Sequence, residues 1–126
     1  MAKTILIVED EPCLLNLLAR RIGSLGFRVE TARNGDEAIG KLKSRRIDLV
    51  MLDMVTPRRN GLQVLQTLRG ELASKAPVIV LSNLEQDEAI RAVKSYGVSE
   101  YIVKSKTSMK ELSGVVMQTL GEGAAR

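Results

Sequence analysis

Aromatic side chains are scarce in this 126-residue chain: one phenylalanine, two tyrosines and no tryptophan. Sequence-tolerant binding of nucleic acid uses such rings as stacking platforms, so their scarcity argues against direct nucleic-acid binding by this domain. A single cysteine, Cys13, leaves no partner for an internal disulfide and gives no reason to expect an oxidising compartment. No apolar run approaches the ~20 residues that a membrane span requires. The first residues, Met1-Ala2-Lys3-Thr4, enter a short apolar run closed by Glu9 and Asp10. A signal peptide has a longer apolar stretch and a small-residue cleavage site. The cytoplasm is the expected compartment. Internal repeats, linkers and low-complexity segments are also lacking.

What is present suits one globular domain, long enough to bury a core. The net charge of +4 permits acidic partners, but the layout of the charges matters more than their sum. Lys41, Lys43, Arg45 and Arg46 gather at one expected helix end, where the helix dipole favours cations. A solvated helix end explains them.

Short apolar runs alternate with amphipathic stretches along the whole chain. Ile5 to Val8, Leu49 to Leu52, Val78 to Leu81 and Tyr101 to Val103 read as buried strands, and Phe27 to Thr31 as a less buried one. Between them fall helical stripes. Leu15, Leu18 and Ile22 follow Pro12, which suits a first helical turn. Ala38, Ile39 and Leu42 follow Asn34-Gly35-Asp36. Leu65, Leu68 and Leu72 form the third stripe, Ala89, Val93 and Tyr96 the fourth, and Met109, Leu112, Val116 and Leu120 the fifth. Five strands alternating with five helices predict a doubly wound α/β fold, a parallel sheet with helices on both faces. The expected domain is 1–120, followed by a small-residue tail over 121–126.

Ligands of open α/β sheets bind beyond the carboxyl ends of the strands. The first apolar run ends in Glu9-Asp10, the third in Asp53, the fourth in Ser82 and the fifth in Lys104. Clustered carboxylates repel unless a cation joins them, and hard oxygen ligands suit Mg²⁺. Carboxylates also accept phosphoryl groups, and such transfer needs little beyond positioning and charge stabilisation. Ser82 could supply a hydrogen bond and Lys104 a point charge to phosphoryl oxygens. Each residue alone has a plainer use: Asp10 or Asp53 as a helix cap or turn former, Ser82 as a cap, Lys104 as an exposed lysine. All of them together at the ends of four strands of one sheet favour the functional reading.

Glu9-Asp10-Glu11-Pro12, Asp53-Met54-Val55-Thr56-Pro57 with Gly61 beyond, Ser82, and Tyr101-Ile102-Val103-Lys104 resemble the receiver domains of two-component response regulators, of the stand-alone chemotaxis kind. The resemblance runs from the first strand to the fifth helix. It implies a flavodoxin-like strand order of 2-1-3-4-5, and Asp53 as phosphoacceptor for a histidine kinase or histidine phosphotransfer protein. It implies Mg²⁺ on Asp10 and Asp53, on Glu9 through water, and on the Val55 carbonyl. It further implies a switch pair, Ser82 and Tyr101, with Ser82 moving toward the phosphoryl group and Tyr101 turning inward. A half-buried strand tyrosine is the plainer reading of Tyr101. The chain would then be no enzyme beyond its own phosphorylation and dephosphorylation. No effector domain is evident, and the sequence names no downstream partner.

Two positions depart from that pattern. Asn83 stands where receivers usually have a small residue such as alanine, and Ser105 where they commonly have a proline in a cis bond. A non-proline cis bond costs ~2.5–4 kcal/mol, so the Lys104–Ser105 bond is expected to be trans. Val55 and Leu84 would border the path of attacking water, and their apolar side chains predict slow loss of phosphate. Leu14 and Leu17, beside the core stripe of the first helix with Arg20 and Arg21 beyond, read as a docking patch or, for Leu14, as a wider core stripe. Three competing functions fit these residues less well. A flavin module is disfavoured by the acidic run after strand one and the missing tryptophan. A dehalogenase-type hydrolase wants an aspartate at Val55. A pseudo-receiver that takes no phosphate sits poorly with the complete acidic set.

Overall fold

The computed structural model describes residues 2–54, 60–83 and 87–121, the last range from its backbone alone over 87–89. The strands are β1 (Thr4–Val8), β2 (Arg28–Ala32), β3 (Leu49–Asp53), β4 (Val78–Ser82) and β5 (Glu100–Val103). The helices are α1 (Pro12–Gly23), α2 (Gly35–Ser44), α3 (Gly61–Gln66), α4 (Asp87–Lys94) and α5 (Met109–Thr119). All strand pairs are parallel, in the order β2-β1-β3-β4-β5, as the resemblance implies.

Strand periodicity sorts the core into two layers. Ile5, Ile7, Leu49, Met51, Ile79, Leu81 and Ile102 meet Leu15, Leu18 and Ile22 of α1 and Leu112 and Val116 of α5. Leu6, Val8, Val50, Leu52, Val78 and Val80 meet Ala38 and Ile39 of α2, Val64 and Leu65 of α3, and Val93 of α4. β3 and β4 are buried along their whole length, which is why they read as continuous apolar runs without alternation.

The third helical stripe divides between two conformations. α3 is six residues long and passes into a π-helical turn over Thr67–Glu71. The Arg69 guanidinium donates to four carbonyls, those of Ser74, Ala76, Tyr96 and Gly97, at 2.7–3.1 Å. This clamp ties the end of α3 to the end of α4, and burial pushes the Arg69 pKa down. Spacing along the chain gave no sign of it. At the cationic end of α2 the side chains are ion-paired as well as solvated: Lys41 and Arg45 share Glu30, Lys43 pairs with Glu71 and Arg46 with Asp48. No helix among the described residues is long and apolar enough to cross a membrane.

Candidate phosphoryl-transfer site

The alternation that builds the core also aims the charged groups. Ile5 and Ile7 face α1 and α5, and Glu9 continues their parity. Leu49 and Met51 lead in the same way to Asp53, and Ile102 to Lys104. The β1–β3 register pairs Ile7 with Met51 and Val8 with Leu52. One further step brings Glu9 beside Asp53. Asp53 lies opposite Leu81 and Ser82 opposite Val103, so residues 44 to 95 positions apart from Glu9 converge on one sheet edge.

The Lys104 Nζ donates to Glu9 Oε1 at 2.7 Å and to Asp53 Oδ2 at 3.0 Å. The side chains of Glu9 and Asp53 are 2% and 7% exposed, and that of Lys104 is 20% exposed. Burial alone would lower the amine's pKa, but the two carboxylates outweigh it and hold it above its usual value. Glu9 is pushed up chiefly by burial and further by the Asp53 charge, although Lys104 and the Glu11 N–H pull it down. Oxygens of Glu9, Asp10 and Asp53 lie within 4.8 Å of one another. The three carboxylates are hard oxygen donors of the kind that hold a divalent cation such as Mg²⁺, with exposed Asp10 on the solvent side.

The raised Glu9 pKa predicts an effect on stability. A carboxyl raised in the folded protein binds its proton longer there than in the unfolded chain, so stability falls as pH rises from its ordinary 4.5 through the folded value. Above that window the ionised group is a net cost. Glu9→Gln, melted in EDTA, is expected to have a higher Tm than wild type at pH 7. The gain should shrink at pH 4, below both values, where Glu9 is mostly protonated in both states. A lower Tm at pH 7 would mean that the Lys104 pair outweighs the burial cost.

The plainer uses of these residues fall to their neighbours. Glu11 caps α1, accepting from the N–H groups of Cys13 and Leu14. Asn60 caps α3 in a reciprocal box with Gln63. Neither Asp10 nor Asp53 is one of these caps. Lys104 is no ordinary surface lysine. Gly61 has a steric reason: a Cβ there would stand 2.7 Å from Met54 Cα and 3.0 Å from the Asp53 carbonyl oxygen.

Ser82 is buried and Tyr101 half-buried. Their strands place both on the face that carries α4, since Val80 lies opposite Tyr101 and Ser82 opposite Val103. Val55 and Leu84, the residues expected to border a water path, lie outside the described residues, as do the side chain of Ala89 and the tail over 122–126. No cis peptide bond occurs among the described residues, so Lys104–Ser105 is trans as expected. On α1, Leu17 is 56% exposed. Leu14 lines a cavity of about 70 Å³ with Leu18, Leu81 and Ile102 and packs against the core, which favours the wider stripe for that residue. Arg21 is engaged by Ser113 Oγ at 2.8 Å.

Comparison with known proteins agrees with this geometry. The response regulator receiver domain family matches residues 5–116. The chain is 34% identical over 116 residues to a probable transcriptional regulator ycf27 of Cyanidium caldarium, covering 92% of this chain and 45% of that protein. It is 34% identical over 101 residues to a probable transcriptional regulatory protein, TcrX, of Mycobacterium tuberculosis, covering 80% and 43%. The chain thus spans under half the length of these two relatives. Among solved structures, response regulator protein TrrA of Thermotoga maritima, in complex with Mg²⁺ and BeF, is 34% identical with a TM-score of 0.80, over 93% of this chain and 98% of that one. A receiver domain protein of Methanospirillum hungatei reaches a TM-score of 0.90 at 23% identity, over 97% and 96%, a likeness of fold. A family match over nearly the whole sheet, joined to carboxylates and a lysine at its carboxyl edge, leads to one conclusion: the chain belongs to the response regulator receiver domain family.

Proposed function

We propose that Asp53 accepts a phosphoryl group from a phosphohistidine on a sensor histidine kinase or histidine phosphotransfer protein. The observation that carries this reading is the Lys104 ammonium bridging Asp53 and Glu9 within a cluster of three carboxylates. A carboxylate needed only for packing would not be buried beside another that repels it. In the transfer an Asp53 oxygen attacks phosphorus in line. The new O–P bond forms as the N–P bond of the donor breaks, and the imidazole leaves with that bond's electron pair. Lys104 can pair with one phosphoryl oxygen and the Ser82 hydroxyl with another.

Mg²⁺ would be held by Asp10 and Asp53 directly, by Glu9 through water, and by the carbonyl of Val55. When bound it neutralises charge on the phosphoryl oxygens. Ser82 and Tyr101 then act as the switch pair, and the altered surface controls a partner protein in the cytoplasm. The chain catalyses only its own phosphorylation and dephosphorylation. Incubation with acetyl phosphate and Mg²⁺ tests the reading: one base-labile phosphoryl group is expected per chain. A well-folded chain that takes none is the pseudo-receiver instead.

Docking of the donor is assigned to α1. Leu17 is the exposed large apolar side chain there, with Arg20 one turn on, and an apolar helix face with a cationic rim suits a helix of the kinase. Leu17→Ala is expected to slow transfer from the cognate kinase about tenfold, the equivalent of ~1.4 kcal/mol of lost contact. Labelling by acetyl phosphate should be unchanged. An equal loss with both donors would show a folding defect in place of a docking one.

A further inference from the structure

The β4–β5 pairing ends at Ser82 opposite Val103. Just beyond it, the N–H of Ser105, two residues past Val103, donates to Oδ1 of Asn83, one residue past Ser82, at 3.1 Å. A side chain thus makes the rung that the backbone no longer makes. Lys104 sits between two anchors on the same loop, Val103 paired with Ser82 and Ser105 bonded to Asn83. The bond also joins the two departures from the receiver pattern into one feature. Proline has no N–H to donate and alanine no side-chain acceptor, so either common residue alone would abolish it. Asn83 and Ser105 make it together.

We propose that Asn83 is a positioning residue: through the Ser105 N–H it holds the turn over Lys104–Lys106 so that the Lys104 ammonium stays on Asp53 and Glu9. The proposal rests on the phosphoacceptor reading above and deepens it. Lys104 reaches both carboxylates on a flexible four-carbon stem, so the path of its backbone decides how often the ammonium is in place. Misplacing a charged group at the transferring oxygens is costly for phosphoryl transfer, which depends on orientation. The same bond ties the loop that follows Ser82 to the loop that carries Lys104, so movement of one is felt by the other.

The test uses the full chain, acetyl phosphate and Mg²⁺, with amide hydrogen exchange measured on the unphosphorylated protein. Asn83→Ala should label roughly two- to tenfold more slowly, the range set by one lost hydrogen bond. Its half-saturating Mg²⁺ should not rise, because Asn83 is not among the carboxylates. Its Ser105 amide should exchange faster while the β1 and β3 amides stay protected, which also reports folding. Ser105→Ala keeps the N–H and should label as wild type. In a Lys104→Ala background, Asn83→Ala should add no further loss. A further loss in that background, or an unchanged Ser105 amide in Asn83→Ala, overturns the assignment. If wild type takes no label at all, the phosphoacceptor reading fails and the role of the latch in transfer fails with it. The exchange data alone would then report the bond.

Discussion

Asp53→Asn is expected to abolish labelling by acetyl phosphate while leaving the fold intact. Asn is nearly isosteric with Asp, so the packing at the end of β3, where residue 53 is 5% exposed, should hardly change. The chemistry changes completely. An ionised carboxylate offers a charged oxygen to phosphorus, whereas a carboxamide oxygen is a poor nucleophile. The Lys104 ammonium keeps Glu9 as a partner, so no cation is stranded, and one repulsion between buried carboxylates is removed. The measurement is intact mass after incubation with acetyl phosphate and Mg²⁺, with wild type in parallel. Wild type should gain one phosphoryl group and the variant none. Equal labelling of both would move the acceptor elsewhere, and Asp10, in the same cluster, would be the first residue to replace.

Gly61→Ala is expected to damage stability and labelling together, although it alters no charge. The added Cβ would meet Met54 Cα and Sδ at 2.7 Å and the Asp53 carbonyl oxygen at 3.0 Å. The Met54 sulfur ends a flexible chain and can turn away. The backbone atoms cannot, because β3 is held in the sheet on both sides and the Gly61 N–H is bonded to the Met54 carbonyl at 3.1 Å. Relief therefore requires α3 and the end of β3 to separate. Overpacking of this kind costs about 1–3 kcal/mol, and each kcal/mol lowers Tm by roughly 4 °C for a chain of this size. Because the clash falls on the residue next to Asp53, the labelling rate should drop by more than the lost folded fraction explains. Thermal melting and initial labelling rates on the same samples check both parts. A variant that melts like wild type would show that the start of α3 yields without strain.

By itself the sequence determined the alternation of elements and the edge on which chemistry is concentrated. Its apolar runs of three or four residues suit short buried strands, and each is followed by a charged or hydroxylic residue. That signal is local, so it is legible without the fold. The second strand lies one residue later than expected, Arg28–Ala32, because its burial is weak and no sharp apolar boundary marks its start. Only the tertiary structure decided what depends on separations of 22 to 95 residues. Lys104 bridges Glu9 and Asp53, Arg69 clamps the end of α4, and Asn83 meets Ser105. Asn83 and Ser105 look, along the chain, like two unrelated departures from a pattern. Parallel pairing of β4 with β5 sets their loops side by side, and it is register across that pair, invisible in either segment alone, that makes them partners.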